Sequence, residues 1–541
     1  MYVFRGVRII SVTYLCASIF VDASQDVPLA LNRAHTGVSA GAKLLEWRLD
    51  ALAEEDAGLA SIRQLLEETP ATAIATIRAE SEGGTWAGDE TDRISLLEAI
   101  GTGSHPPRYI DLELGAWNRS ANLRQKVMLA IDHDTQVRDV ETKLILSSHE
   151  FSGRPNDLMH RVAQMIECDQ CAIAKVVWRA RSLRDNLEAF DLLSSRAKPM
   201  IALCMGEFGL MSRVLAPKFG GFLTFAAVEQ GGGTAPGQPT VTELRTTYRF
   251  DAIDQDTQVY GVVGWPVDHS KGPEVHNAGF DAIDFNGVYL PLPIMPEWEQ
   301  FKASMVAMID HPKLDFRGCS VTLPHKENLL RLVRECGGTV DEHAERIGAA
   351  NTLVIDDEGK LSCVNTDAPA ALEALCDGMS VDGSELSGRT ILILGAGGVA
   401  RAVASGVLDY GAQVLIHNRT PDRANTLADD LRSNEFDIRV VSASELKQFT
   451  VDVIINCTSV GMDSGPAPEE SPVPEHLDIT PDMTIFETVY APIDTPLVRE
   501  ARSCGATVIT GDELFLRQAK RQFQMWTGVN LPLAFAKDAA N

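Results

Sequence analysis

The sequence predicts an α/β protein: a (β/α)8 barrel at the N-terminal end, followed by two further α/β domains, the last of Rossmann type. Three observations predict it. Short apolar strands alternate with helical stretches eight times in the first half of the chain, the pattern restarts at Gln258, and a glycine-rich turn joins a strand to a helix over residues 390–408. The length agrees, because 541 residues at roughly 150 per domain make about three to four units.

The barrel strands are predicted at TYLCASI (13–19), LLEWRLD (44–50), AIATIRA (73–79), RYIDLEL (108–114), TKLILSSH (142–149), CAIAKVV (171–177), KPMIALCM (198–205) and FLTFAA (222–227). Near-continuous apolar runs of this length are strands buried on both faces, and stretches such as AGLASIRQLLEE (57–68) supply the helices between them. Eight such units close into a barrel whose chemistry lies at the C-terminal ends of the strands. The acidic segment Asp251 to Thr257 reads as a linker, and Gly231 to Gly233 as a mobile loop near the site. The domains are therefore expected at 1–250, at 258–380 (completed by about 515–541) and at 386–514. QVYGVVG (258–264) and YLPLP (289–293) open the second, and TILILGAGGVARAVASGVL (390–408) opens the third.

Composition excludes several classes of function. Hydrophobic residues are 45% and charged residues 23%, the balance of a chain that builds packed cores. With 48 Lys and Arg against 75 Asp and Glu, the formal charge of −27 disfavours nucleic acid and anionic lipid. Small molecules are the expected partners, and the sequence is compatible with a homo-oligomer. The 10 Cys are scattered singly except for Cys168 and Cys171, and one C-x-x-C lacks the second pair of a zinc site. Reduced thiols in a cytoplasmic setting are the reading, with no metal. Arg5 and Arg8 ahead of Ile9 to Phe20 imitate a signal peptide, but Ser11, Thr13 and Ser18 interrupt the run and no A-x-A site follows, so the stretch from Thr13 to Ile19 is read as a buried strand. No later stretch approaches the roughly 18 apolar residues of a membrane span.

The chemistry is written in polar residues on apolar strands. Glu46, Arg48, Arg78, His149 and Lys175 lie within or at the ends of barrel strands. One such residue reads as a satisfied core group, whereas five on successive strands read as a site. Lys175 in AIAKVVW stands amid Ala, Ile and Val, where desolvation favours a neutral amine, and imine chemistry needs that form. In the third domain, Gly395, Gly397 and Ala400 make a G-x-G-x-x-A turn, with Gly398 beside them, that suits a dinucleotide pyrophosphate on a helix N-terminus. The next strand, AQVLIHNRT (412–420), lacks a terminal acid for a ribose and offers Asn418, Arg419, Thr420 and Arg423 instead. Two guanidinium groups there favour a 2′-phosphate, hence NADP, against the alternative of a solvated basic loop.

EWRLD (46–50), TIRAESEGG (76–84), SSHEF (147–151), IAKVV (173–177), MGEFGLMSR (205–213), LTFA (223–226) and TAPGQ (234–238) together resemble type I 3-dehydroquinate dehydratase across residues 10–248. The resemblance implies that Lys175 forms a Schiff base with the substrate ketone, that His149 moves the proton at the adjacent carbon, and that Arg213 binds the substrate carboxylate. Glu46, Arg48, Arg78 and Gln238 match the family's remaining substrate contacts. VVGWPVDHSKGPEVHN (262–277), SVTLPHKE (320–327), IGAANTL (347–353), NTD (365–367), LGAGGVARA (394–402), NCTSVGM (456–462), ETVYAP (487–492) and GDELFLRQ (511–518) resemble shikimate dehydrogenase over residues 258–535. This resemblance implies Lys326 and Asp367 as the catalytic pair, with Ser270, Thr322, Asn351, Tyr490 and Gln518 as substrate contacts. Gly272, Ser320 and Glu487 depart from that family's usual Ser or Thr, Asn and Asp.

The two resemblances join, because 3-dehydroshikimate is the product of the first reaction and the substrate of the second. Two alternatives stand beside this reading. Gly272 leaves space and one hydroxyl fewer at the expected carboxylate end, which would suit quinate. Fungal repressors of the quinate pathway resemble the same two enzymes yet act as regulators, and they are expected to lose catalytic groups; here Lys175, His149, Lys326 and Asp367 are all present.

Overall fold

The computed structural model describes residues 12–132, 141–195, 197–233, 237–432, 436–463, 465–475 and 477–532. The described chain forms two compact units, one dominated by residues up to Gln258 and the other by residues from Val259 onward.

All eight strands of the first unit appear where the apolar runs place them: β1 (Tyr14–Phe20), β2 (Leu44–Arg48), β3 (Thr72–Thr76), β4 (Tyr109–Glu113), β5 (Lys143–Glu150), β6 (Cys171–Arg179), β7 (Met200–Met205) and β8 (Leu223–Ala226). They pair in the order β7-β6-β5-β4-β3-β2-β1-β8. The ring is drawn together where the Phe222 N–H, just ahead of β8, donates to the Met200 carbonyl of β7 at 2.8 Å. Side chains two apart on a strand share a face, so Leu44, Ile74, Ile145, Ile173, Ile201 and Leu223 close the lower barrel as one apolar layer. The residues two positions further on, among them Glu46, Thr76, Ser147 and Lys175, are buried at the next level up.

The segment 251–257 is not the loose linker that its acidity suggests. Phe250–Ala252 forms a 3-10 turn, Ile253 and Thr257 are buried, and the Lys218 ammonium donates to the Gln255 and Thr257 carbonyls at 2.9 and 2.7 Å. Its acids solvate one face while its backbone carbonyls are held on the other. Gly231 to Gly233 is exposed, with Gly231 at φ 74°, and residues 234–236 of the neighbouring motif lie outside the described residues.

From Gln258 onward the described chain holds two sheets. In the first, β9 (Gln258–Gly264), β10 (Gly287–Pro293), β11 (Phe316–Val321), β12 (Thr339–Val340), β13 (Thr352–Ile355) and β14 (Leu361–Val364) lie in the order β10-β9-β11-β13-β14-β12, with β13 antiparallel to both of its neighbours. In the second, β15 (Thr390–Leu394), β16 (Gln413–His417), β17 (Ile438–Val440), β18 (Val453–Asn456), β19 (Thr484–Glu487) and β20 (Thr507–Ile509) are all parallel, in the order β17-β16-β15-β18-β19-β20. That order is the doubly wound Rossmann pattern, with its crevice outside the ends of β15 and β18. The last long helix, Gly511–Thr527, returns to the first of these sheets, where Gln522 Nε2 donates to Thr352 Oγ1 at 3.1 Å and Trp526 Nε1 to the Leu353 carbonyl at 3.0 Å. Among the described residues, no helix is long and apolar enough to cross a membrane.

Candidate active sites

The barrel brings Glu46, Arg48, Arg78, His149, Lys175, Arg213 and Gln238 around one cavity of about 90 Å³, with Phe151, Leu203, Met205 and Phe225 as apolar walls. Lys175 is 3% exposed and its ammonium lies 4.4 Å from the centre of the Phe225 ring. Its surroundings are not the purely apolar ones that its strand neighbours suggest. Nζ donates to Asp111 Oδ2 at 2.8 Å and stands 3.6 Å from Glu46 Oε1, so two carboxylates reach it from β4 and β2. Burial pushes the Glu46 carboxyl up, but the cations of Lys175 and Arg48 outweigh burial and hold it below the usual range. The same contest, with Arg78 and Lys175 on the cationic side, holds Asp111 far below it.

His149 ends β5 against Glu82, which lies in the turn after β3. Nδ1 is 3.0 Å from Glu82 Oε2, and that oxygen also accepts the His149 backbone N–H at 2.9 Å. Burial, with the nearby Arg78 and Lys175 charges, keeps His149 neutral well below its ordinary range, while burial raises Glu82 to about 7. Arg213 projects from the short helix Leu210–Val214; it is 4% exposed and forms no salt bridge with a carboxylate among the described residues. Burial draws it down to about 10, against its strong preference for charge. A buried guanidinium without a carboxylate, on a cavity wall, is arranged for an anion from outside. Arg48, by contrast, is held by Asp50 at 2.6 Å.

In the second unit, Lys326 and Asp367 are brought together from the first residues of two helices, Lys326–Glu335 and Asp367–Met379. Lys326 Nζ donates to Asp367 Oδ2 at 2.5 Å, while Asn351 Nδ2 and Gln518 Nε2 donate to Oδ1 at 2.8 and 2.6 Å. Asp367 is 1% exposed. Asn351 is fixed in turn, since its Oδ1 accepts the Thr366 N–H at 2.8 Å. Tyr490 is stacked on Phe515 at 5.0 Å, and burial pushes its phenol hydroxyl up. Gly272 begins the helix Gly272–Ala282 and donates its N–H to Ser270 Oγ at 3.1 Å. Thr322 follows β11, its N–H on the Val263 carbonyl at 2.8 Å.

The glycine turn fits a dinucleotide. Gly395 has φ 109°, and a Cβ there would stand 2.9 Å from the Cys457 carbonyl oxygen, so only glycine serves. Gly397 caps the helix Gly398–Leu408, and nothing lies within 4 Å of where its Cβ would be, which leaves the helix N-terminus open to a phosphate. After β16, Asn418 bonds the Thr420 carbonyl at 2.8 Å, and Arg419 and Arg423 are exposed, with no ion pair among the described residues.

Family models match in the same order along the chain. Residues 15–255 match type I 3-dehydroquinase, 262–353 the shikimate dehydrogenase substrate binding domain, and 379–462 shikimate / quinate 5-dehydrogenase. The bifunctional 3-dehydroquinate dehydratase/shikimate dehydrogenase of Arabidopsis thaliana, named as chloroplastic, is 35% identical over 96% of this chain and 82% of its own length. The chain belongs to the bifunctional 3-dehydroquinate dehydratase/shikimate dehydrogenase family. The shikimate dehydrogenase (NADP(+)) of Methanocella arvoryzae is 40% identical over 51% of this chain and 95% of its own length. A solved shikimate dehydrogenase from Aquifex aeolicus is 32% identical, with a TM-score of 0.46, covering 53% of this chain and 99% of that one.

In this bifunctional family member, sequence reasoning missed Glu82 and Asp111. Both were within reach. Glu82 sits in the quoted TIRAESEGG motif, and Asp111 is an acid within the apolar run RYIDLEL, the same signal that singled out Lys175.

Proposed function

We propose that the chain dehydrates 3-dehydroquinate to 3-dehydroshikimate in the barrel and reduces 3-dehydroshikimate to shikimate with NADPH in its second half. One observation carries the first activity: an amine, a histidine held by a carboxylate, and a cation lacking a carboxylate partner border one buried cavity. Arg213 takes the substrate carboxylate, with Glu46, Arg48, Arg78 and Gln238 about the hydroxyls. The Lys175 amine adds to the ketone, and water leaves as the imine forms. The iminium is a cation, as the ammonium was, so Asp111 and Glu46 stabilise it in place. It draws electrons from the adjacent C–H, and His149 takes that proton and returns one to the departing hydroxyl; a water then adds to the iminium carbon and the C–N bond breaks, releasing 3-dehydroshikimate and the Lys175 amine.

In the second half the residues fit NADP, which when bound supplies the hydride. Gly395, Gly397 and Gly398 would face its pyrophosphate, and Asn418, Arg419, Thr420 and Arg423 its 2′-phosphate. Lys326, aimed by Asp367, donates a hydrogen bond to the carbonyl oxygen that gains charge. Asn351 and Gln518 orient hydroxyls, and Ser270, Thr322 and Tyr490 hold the carboxylate end. The accompanying domain division is 1–250, 258–380 with the C-terminal helix, and 386–514. Shikimate is preferred to quinate as the product because the barrel makes its precursor. The 10 free cysteines support a reducing, cytoplasmic setting.

The test is a coupled assay: purified chain given 3-dehydroquinate and NADPH should oxidise NADPH and release shikimate. Loss of water without NADPH oxidation would defeat the second half of the proposal, and no water loss at all the first.

A further inference from the structure

Arg93 lies on the helix Glu90–Gly101, on the far side of β3 and β4 from the cavity, yet it is only 1% exposed. Burying a guanidinium costs several kcal/mol before its partners are counted. Nε and Nη2 donate to the two Glu90 oxygens at 2.8 and 2.7 Å, and Nη1 donates to the Ile77 carbonyl at 2.5 Å and meets Glu113 Oε2 at 2.7 Å. Glu113 is shared. Its Oε1 lies 3.1 Å from Arg78 Nη1 and accepts the Ala79 N–H at 3.1 Å. Arg78 in turn donates to Asp111 Oδ1 at 2.8 Å, and Asp111 Oδ2 takes Lys175 at 2.8 Å. Alternating charges thus run from Arg93 through Glu113, Arg78 and Asp111 to Lys175.

We infer that Arg93 and Glu113 are positioning residues for the Schiff-base lysine, acting from outside the barrel through Arg78 and Asp111. Arg78 stands between two carboxylates, and how it divides itself decides how much cation is left for Asp111. With Arg93 in place Glu113 is already paired, so Arg78 stays on Asp111 and relieves the hold of Asp111 on Lys175. Without Arg93, Glu113 draws Arg78 outward, and Asp111 binds the Lys175 ammonium alone. Lys175 is then held more firmly in the ion pair and is less able to reach the ketone. A buried pair of this kind adds little net stability, so its consequence falls on the reaction.

The inference rests on the dehydratase reading of the barrel, which turnover of 3-dehydroquinate by the unaltered chain tests by itself. Arg93→Met, Arg93→Lys, Glu113→Gln and the double variant Arg93→Met/Glu113→Gln are compared in the full chain. Arg93→Met should lower dehydratase kcat at least about tenfold with KM changed less than about threefold. Arg93→Lys should recover part of the rate, and the double variant should regain part of what Arg93→Met loses, since with position 113 uncharged nothing draws Arg78 away from Asp111. NADPH-dependent turnover of added 3-dehydroshikimate should hold throughout, and the far-ultraviolet circular dichroism of each variant should match that of the unaltered chain, reporting intact protein. A kcat of Arg93→Met within about twofold of the unaltered chain, or losses that multiply in the double variant, would overturn the inference. Should Arg93→Met fail to fold, Arg93→Lys and Glu113→Gln decide together: a lower kcat at little-changed KM in Arg93→Lys with kcat within about threefold in Glu113→Gln is expected, and the reverse pattern would overturn the inference.

Discussion

The same oxygen of Glu82 holds His149 twice, through the ring Nδ1 at 3.0 Å and through the backbone N–H at 2.9 Å. The acid therefore fixes both where the imidazole sits and which way it faces. It leaves Nε2 for the cavity when Glu82 is ionised and Nδ1 carries the proton.

Burial raises Glu82 to about 7, so the carboxylate form that accepts from Nδ1 is lost as the pH falls through that value. His149, lowered by burial, is neutral across the same range. Dehydratase kcat should accordingly drop on the acid side of about pH 7, and Glu82→Gln should lower the rate at least about tenfold and erase that inflection. A rate profile in Glu82→Gln that still breaks near pH 7 would assign the inflection to another group. The stability sign follows from the same shift. A raised carboxyl contributes stability fully present below its unfolded value near 4.5 and lost as the pH rises to about 7, so Glu82→Gln should flatten that part of the stability curve.

Lys175 should be the sole site of borohydride trapping in the presence of 3-dehydroquinate. Mass spectrometry after digestion should show the adduct on the peptide CAIAKVVW, and Lys175→Ala should abolish both adduct and dehydration while NADPH-dependent turnover persists. An adduct elsewhere would relocate the imine.

Arg213 separates binding from stability. A buried cation without a carboxylate costs the empty protein and repays only when an anion arrives. Arg213→Met should raise KM for 3-dehydroquinate about tenfold to a hundredfold, the equivalent of roughly 1.5–3 kcal/mol for charge-assisted hydrogen bonds. Thermal unfolding of the same variant should show a midpoint no lower than that of the unaltered chain. A large drop would mean that Arg213 is a structural cation.

Arg419→Ala should cost at least about tenfold in kcat/KM with NADPH and little with NADH, because the proposed 2′-phosphate contacts, Arg419 and Arg423, stand exposed just after β16 and no acid ends that strand. Equal losses with both cofactors would place Arg419 elsewhere on the nucleotide.

The apolar runs determined the barrel and the first two strands of the second sheet, and with the glycine turn the Rossmann strand-turn-helix, because strands buried on both faces leave no room for polar periodicity. Polar residues embedded in those runs, Lys175 and Glu46 among them, pointed to the site for the same reason: nothing solvates them there. Gly395 and Gly397 were legible as a spaced glycine pattern between strand and helix, and at Gly395 the backbone geometry demands glycine. What faces what was not legible. Lys175 meets Asp111 across 64 positions, His149 meets Glu82 across 67, and Gln518 meets Asp367 across 151. Those meetings depend on strand register and on where each turn lands, which no local pattern encodes. Segment 251–257 shows the converse, since its acidity spoke for a free linker while Lys218, distant in sequence, holds its carbonyls. Residue types were written locally; their partners, and with them the charge states that make chemistry, came only when the sheet closed and brought distant carboxylates within 3 Å of buried cations.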